Sequence, residues 1–197
     1  MQFTVPDKPD QFTGPGALAL LVLLVQIIGL STTTYDLPLI EQGEIWRLIT
    51  GNLAHLNWSH LGLNLLGVLF LWLLHGDDYK VIHYFTVAFV AGIAVTLGLL
   101  LLNPAVETYA GLSGVLHGLL AWGVILDFLA RRKTAFILAG GLIAKLIYEA
   151  YQGPDSASQS LLNAPVIIEA HLYGTIGGLM AGLILTRHRL FPSASSD

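Results

Sequence analysis

Serine, histidine and asparagine side chains occur within otherwise apolar stretches of this 197-residue chain. Ser113 is followed one helical turn later by His117. His60 is followed by Asn64 at the same spacing, which places the two on one helix face. His171 lies in a third apolar stretch. A serine hydroxyl becomes a good nucleophile when a neighbouring base takes its proton. These residue types therefore predict acyl transfer by side chains that separate helices bring together.

The chemistry assigns a role to each of these groups. His171 is the candidate base, which would take the Ser113 proton and return it to the leaving amine. The developing oxyanion needs fixed hydrogen-bond donors, which His60, the Asn64 amide and the backbone N–H of Ser113 can supply. Glu169 stands two residues before His171, on a different helix face. The sequence therefore predicts a Ser-His dyad, with no carboxylate orienting the histidine.

The composition indicates that these residues lie in a membrane. The chain is 54% hydrophobic and 11% charged, with a mean hydropathy of +0.69, whereas soluble domains carry about 25% charged residues. At about 20 residues per span, the length accommodates six spans and leaves no room for a soluble domain. We therefore predict an all-α membrane protein whose residues 1–197 form one six-helix bundle. The spans are expected at about 16–30, 58–74, 81–102, 112–130, 134–150 and 167–186.

Cysteine content and charge exclude several classes of protein. The chain has no cysteine, so thiol catalysis, disulfides and cysteine zinc sites are excluded. A net charge of -4 without a basic face argues against nucleic-acid binding. The first apolar run lacks a basic cluster before it and an A-x-A site after it, which favours a retained helix over a signal peptide.

Basic residues predict the orientation of the bundle. Seven of the nine Lys and Arg residues fall on one side of a six-span chain. Of the other two, Arg47 falls on the opposite side and Lys145 within the fifth span. Because Lys and Arg concentrate in cytoplasmic loops, both termini are expected in the cytoplasm. The seven are Lys8, Lys80, Arg131, Arg132, Lys133, Arg187 and Arg189.

In this orientation, the candidate groups of spans two, four and six lie at a similar depth below the outer surface. Polar groups inside spans are costly and indicate function. Glycines at four-residue spacing predict that spans four and six approach closely, bringing Ser113 within reach of His171. These glycines are Gly114 and Gly118 on the fourth span, and Gly174, Gly178 and Gly182 on the sixth.

Four sequence elements in this topology together resemble the rhomboid intramembrane serine proteases, over essentially the whole chain. They are GLSG at 111–114, His60-x-x-x-Asn64, Ala170-His171-x-x-Gly174 and Trp46-Arg47. The resemblance implies that Ser113 and His171 are catalytic and that His60 and Asn64 form the oxyanion hole. It places Gly111 and Leu112 beside them, at the substrate, and Trp46-Arg47 in the scaffold of the first loop. It implies no cofactor and no metal. The implied substrate is a membrane-anchored protein with one transmembrane helix, which enters from the lipid bilayer near spans two and five.

One departure from the family pattern indicates a branch. Many rhomboids have Tyr four residues after the serine, stacked on the catalytic histidine, where this chain has His117. Together with the compact chain and Glu169-Ala170-His171, this resembles the rhombosortase branch. That resemblance implies a bacterial inner membrane, an active site near the periplasmic side and cleavage of a C-terminal Gly-Gly sorting signal. His117 would stack on His171, tune it or form a Gly-selective pocket. The alternative is a buried neutral histidine bonded to a backbone carbonyl.

Two other functions compete with proteolysis by serine. A metal-dependent hydrolase built from His60, His117 and His171 is one, since imidazoles suit zinc, but no H-E-x-x-H helix is present. A non-catalytic rhomboid relative that binds membrane helices is the other, although such relatives usually lack the serine or the histidine.

The remaining polar residues receive structural interpretations. His55 is expected to cap a loop. Asp127 with Arg131, and Lys145 with Glu149, are i,i+4 pairs with structural rather than catalytic roles. The loop 31–57 is expected to lie in the membrane interface with Trp46 at headgroup level, and the loop 151–166 to flex over the site.

Overall fold

A computed structural model of the chain describes residues 9–154, 159 and 166–190. This part of the chain contains six long helices of 17 to 22 residues. They are α1 (Pro9–Ile28), α5 (Trp58–His75), α6 (Val81–Leu102), α7 (Ser113–Leu129), α8 (Thr134–Gln152) and α9 (Glu169–Leu190). The predicted all-α membrane bundle is confirmed. One six-span domain over 1–197 stays a prediction.

Short elements fill the connection between the first two long helices. These are α2 (Leu30–Thr33), β1 (Tyr35–Asp36), α3 (Leu37–Glu41) and α4 (Arg47–Thr50). Strand β1 pairs antiparallel with β2 (Thr108–Tyr109), which ties this connection to the segment just before α7. A 3-10 turn, Gly76–Asp78, joins α5 to α6.

Within the described residues, four helical stretches are long and apolar enough to cross a membrane. They are Gln11–Ile28, Trp58–Asp78, Val81–Leu102 and Thr134–Gln152, while α7 is a shorter apolar helix. Helix α1 begins at Pro9, before the first span expected at about 16–30, and the bounds of that span in the membrane stay a prediction. Proline suits the first position of a helix because its fixed φ is already helical. The loop expected to flex over the site starts late, because α8 continues to Gln152, and most of it lies outside the described residues.

Helix α7 is at the centre of the bundle and packs against α5, α6, α8 and α9. Its contact with α9 is a direct backbone approach. A Cβ atom added at Gly174 would overlap the carbonyl oxygen of Gly114, and one added at Gly178 would overlap the backbone of Gly118. The predicted close approach of these two helices is confirmed. It depends on glycine because any larger residue would force the backbones apart.

Arg47 holds the connection between α1 and α5 in place. Its side chain is only 3% exposed. The guanidinium donates to the carbonyl oxygens of Ser31 and Thr34 at 2.7 and 2.8 Å and to Glu44 Oε2 at 2.6 Å. Trp46 Nε1 donates to a backbone carbonyl of α2 at 3.1 Å. These bonds agree with the scaffold role implied for Trp46-Arg47, while the position of the loop in a membrane interface stays a prediction.

A buried acidic residue, Asp127, lies near the C-terminal end of α7. Asp127 accepts from Arg132 Nη1 at 3.1 Å and from Thr134 Oγ1 at 2.5 Å, and Arg132 is also paired with Asp78. The expected surface pair between Asp127 and Arg131 is therefore wrong. Arg131 adopts a positive φ of 55° just after α7, so the following residue carries the guanidinium back to Asp127.

Candidate active site

The first residue of one helix and the first turn of another meet at the proposed site. Ser113 begins α7, and His171 lies in the first turn of α9. Ser113 Oγ lies 2.9 Å from His171 Nε2, which is a normal hydrogen-bond length. The His171 ring is buried. The close packing of α7 on α9 therefore produces the contact that a serine nucleophile and its base require.

The other nitrogen of this imidazole contacts a carboxylate. His171 Nδ1 lies 2.9 and 3.0 Å from the two carboxylate oxygens of Glu149. An ionised carboxylate only accepts, so Nδ1 carries the proton and Nε2 accepts the hydrogen bond from Ser113. The expectation that no carboxylate orients His171 is wrong. The partner comes from α8, 22 positions earlier in the chain, rather than from Glu169.

Glu149 is part of an ion pair that reaches the outside of the bundle. Lys145 Nζ donates to Glu149 Oε1 at 2.5 Å, which confirms the expected i,i+4 pair. The Glu149 side chain is 8% exposed and the Lys145 side chain is 47% exposed. The pair therefore extends from the buried imidazole to the outer surface of α8.

His117 stacks on the candidate base. The rings of His117 and His171 are nearly parallel, at an interplanar angle of 13° and a centroid separation of 4.2 Å. His117 Nδ1 lies 2.7 Å from the Ser113 carbonyl oxygen. Because a carbonyl only accepts, His117 donates from Nδ1. The expected stacking and the alternative carbonyl bond are thus both present. A part in a Gly-selective pocket stays a prediction.

Gly111 brings the candidate oxyanion donor next to the serine. A Cβ atom at Gly111 would lie 3.1 Å from His60 Nε2 and 3.9 Å from Ser113 Oγ, so both polar groups face the same space. Gly111 has a φ of +153°, which favours glycine. Its N–H donates to the Gly51 carbonyl at 3.1 Å, and its carbonyl accepts from the Tyr109 hydroxyl at 2.5 Å. This loop is therefore held firmly beside His60.

Asn64 and Leu112 contribute to the site less directly. Asn64 is buried, and its Nδ2 donates to the His60 carbonyl at 3.1 Å, which leaves one amide hydrogen for another acceptor. Leu112 is fully buried in the apolar core, so its expected place at the substrate stays a prediction.

The ring of His55 packs against the ring of His60. The two rings meet edge to face with centroids 5.0 Å apart. Burial, followed by the proximity of His60, lowers the pKa of His55 to about 3, so His55 is neutral at physiological pH. Its expected role as a loop cap stays a prediction.

The histidines are not arranged as metal ligands. In the described ranges, no group of three or more His, Cys, Asp and Glu residues is placed to hold a metal ion. His117 and His171 stack face to face, and each uses its Nδ1 for a protein acceptor. This arrangement favours acid–base chemistry over a shared ion.

Known proteins are similar to this chain over most of its length. A family model of the rhomboid domain matches residues 42–188, a range that contains every candidate site residue. The Bacillus subtilis (strain 168) protein named "Putative rhomboid protease YdcA" is 28% identical over 160 residues. That match covers 81% of this chain and 76% of the relative.

Proposed function

The chain belongs to the rhomboid family, and on that premise we propose that it is an intramembrane serine endopeptidase. Ser113 is the nucleophile and His171 the general base. The observation that carries the proposal is the 2.9 Å contact between Ser113 Oγ and His171 Nε2. It lies inside a multi-pass membrane protein, and rhomboid proteases act on membrane proteins within the bilayer.

The reaction proceeds in two stages. His171 Nε2 takes the Ser113 proton as Oγ attacks the carbonyl carbon of the scissile peptide bond. His60, the second hydrogen of the Asn64 amide and the backbone N–H of Ser113 stabilise the oxyanion. The C–N bond then breaks, and His171 gives its proton to the leaving amine. A water molecule, deprotonated by His171, hydrolyses the acyl-enzyme in the same way and restores the serine.

The charges support a site near the outer face of the membrane. The candidate groups lie at the beginnings of α5, α7 and α9, while a basic group lies at the other ends of α7 and α9. That group comprises Arg131, Arg132, Lys133, Arg187 and Arg189. Since basic residues concentrate in the cytoplasm, we place both termini there. From the resemblance to the rhombosortase branch we assign the chain to a bacterial inner membrane, with the site near its periplasmic side.

We assign the substrate to membrane-anchored proteins with a Gly-Gly sorting signal, as in the rhombosortase branch. His117 at the position of the usual tyrosine supports this branch. A glycine pair lets an extended backbone approach Ser113 closely, beside a loop already crowded against His60.

Cleavage of a reporter tests the proposed substrate. The reporter carries Gly-Gly, one transmembrane helix and a basic tail, and is co-expressed with the wild-type enzyme or with Ser113→Ala. We expect a new C-terminus at the Gly-Gly pair, found by mass spectrometry, with the wild type alone. Replacing the pair by Leu-Leu should block processing. Equal processing of both reporters would contradict the Gly-Gly assignment but not the protease.

Substitution of His117 tests its stacking role. Aromatic stacking contributes about 0.5–1.5 kcal/mol beyond burial, which corresponds to a change of about 2- to 10-fold in rate. We expect His117→Ala to lower kcat by this amount and His117→Tyr to retain most activity, because the ring is kept. Equal losses in both variants would instead assign the effect to the lost bond with the Ser113 carbonyl.

A further inference from the structure

The carboxylate of Glu149 determines which nitrogen of His171 can act as a base. A neutral imidazole carries one proton, on either nitrogen. With the proton on Nε2, the ring would donate to Ser113 and could not accept its proton. The two oxygens of Glu149, at 2.9 and 3.0 Å from Nδ1, stabilise the other tautomer. The productive form is therefore selected before a substrate arrives.

The same carboxylate offsets a charge that forms during the reaction. When His171 takes the Ser113 proton, a buried imidazolium forms, and burying an unpaired charge is costly. Glu149 provides the opposite charge at hydrogen-bond distance. Lys145, at 2.5 Å from Glu149 Oε1, favours the ionised form of this carboxylate in the resting site.

From these contacts we propose that Glu149 is a positioning residue of the active site. Ser113, His171 and Glu149 then form a triad, and Lys145 keeps the Glu149 carboxylate charged. The proposal rests on the proposed protease function. It departs from the Ser-His dyad that the sequence predicted, and it assigns catalytic consequences to a pair for which the sequence predicted only a structural role.

The position of helix α8 determines whether Glu149 is aligned with His171. Among the four helical stretches long and apolar enough to cross a membrane, α8 is the least buried in the bundle. A displacement of α8 would move Glu149 away from His171 while leaving the glycine-packed contact between α7 and α9 intact. Glu149 is thus the member of the triad whose alignment depends on the position of α8.

Reaction with a fluorophosphonate probe tests the triad without a known substrate. Ser113 Oγ attacks the phosphorus, a P–O bond forms, the P–F bond breaks, fluoride leaves and the serine proton passes to His171. We expect Glu149→Gln to slow labelling by about 10⁴-fold, as loss of the triad carboxylate does to kcat in soluble serine proteases. Glu149→Asp should recover part of the rate, and Lys145→Met should cost about tenfold.

Two control variants remove charge without touching the triad. Glu169→Gln removes a carboxylate two residues from His171, and Lys133→Met removes an exposed ammonium just before α8. Both should label like the wild type. Labelling of Glu149→Gln at the wild-type rate would overturn the triad and leave the protease assignment intact. Failure of the wild type itself to label would count against the proposed function.

A spectroscopic readout separates positioning from folding. In protein with ¹⁵N-labelled histidine, two-bond proton–nitrogen correlations report which ring nitrogen is protonated. We expect His171, assigned by the loss of its signals in His171→Asn, to be protonated on Nδ1 in the wild type and to show a mixture of tautomers in Glu149→Gln. An unchanged tautomer in Glu149→Gln would overturn the proposal, whatever the labelling rate. Thermal unfolding, measured in parallel, shows whether the variant remains folded.

Discussion

Replacing Ser113 by alanine is expected to lower kcat by at least about 10³-fold while leaving the fold intact, since loss of one member of a serine–histidine unit removes nearly all of its catalysis. The change removes one oxygen at the beginning of α7 and leaves the glycines that hold α7 on α9 unaltered. His171→Ala should produce a similar loss. The double variant should be no worse than either single one, because the two groups act as a unit.

Reporter cleavage and thermal unfolding in detergent measure this effect together. A folded Ser113→Ala protein that cleaves at the wild-type rate would contradict the nucleophile. Residual cleavage in this variant that is abolished by a chelator would favour the metal-dependent hydrolase. Full activity of His171→Ala would remove the general base from the mechanism.

The second large effect is expected at Gly178, where α9 touches the backbone of α7. Valine at this position places carbon atoms where the Gly118 backbone lies, so the helices must separate. Overpacking of this kind costs about 1–3 kcal/mol of folding free energy. The separation would also lengthen the contact between Ser113 and His171, and a misplacement of about 1 Å can cost 10²-fold in rate.

Gly141→Val is the matched control for this prediction. Gly141 lies on α8, where an added Cβ would meet no atom within 4 Å, so the variant makes the same residue change without the clash. We expect Gly178→Val to unfold at a lower temperature and Gly141→Val to unfold like the wild type. Equal unfolding temperatures of the two variants would show that the contact between α7 and α9 does not determine stability.

The sequence singled out the candidate nucleophile, base and oxyanion donors because each is a polar group in an apolar helix, and the structure places Ser113 in contact with His171. That contrast is visible without a structure. Glycine spacing likewise predicted which two helices would touch, since only small residues permit backbone contact.

Glu149 was missed because its role depends on tertiary structure. No local spacing relates a residue on α8 to an imidazole 22 positions later, and a search for carboxylates near His171 in sequence finds Glu169 instead. One sequence feature did point to it: Glu149 and Lys145 are ionisable groups within an apolar helix, where such groups usually have a function. The partner of Asp127 was misassigned for a similar reason, because the positive φ of Arg131 redirects the chain.

The beginnings of α5, α7 and α9 all face the candidate site, which gives the site an electrostatic polarity. Each helix carries a partial positive charge at its N-terminus, and three of them converge here in surroundings of low dielectric constant. In the proposed mechanism this field stabilises the negative tetrahedral intermediate, but it opposes the imidazolium that forms beside it. A carboxylate at Nδ1 of His171, on the side of the ring away from Ser113, offsets the unfavourable effect of the field on the imidazolium. Three helix dipoles that point at the proposed nucleophile therefore create an electrostatic need that a residue such as Glu149 meets.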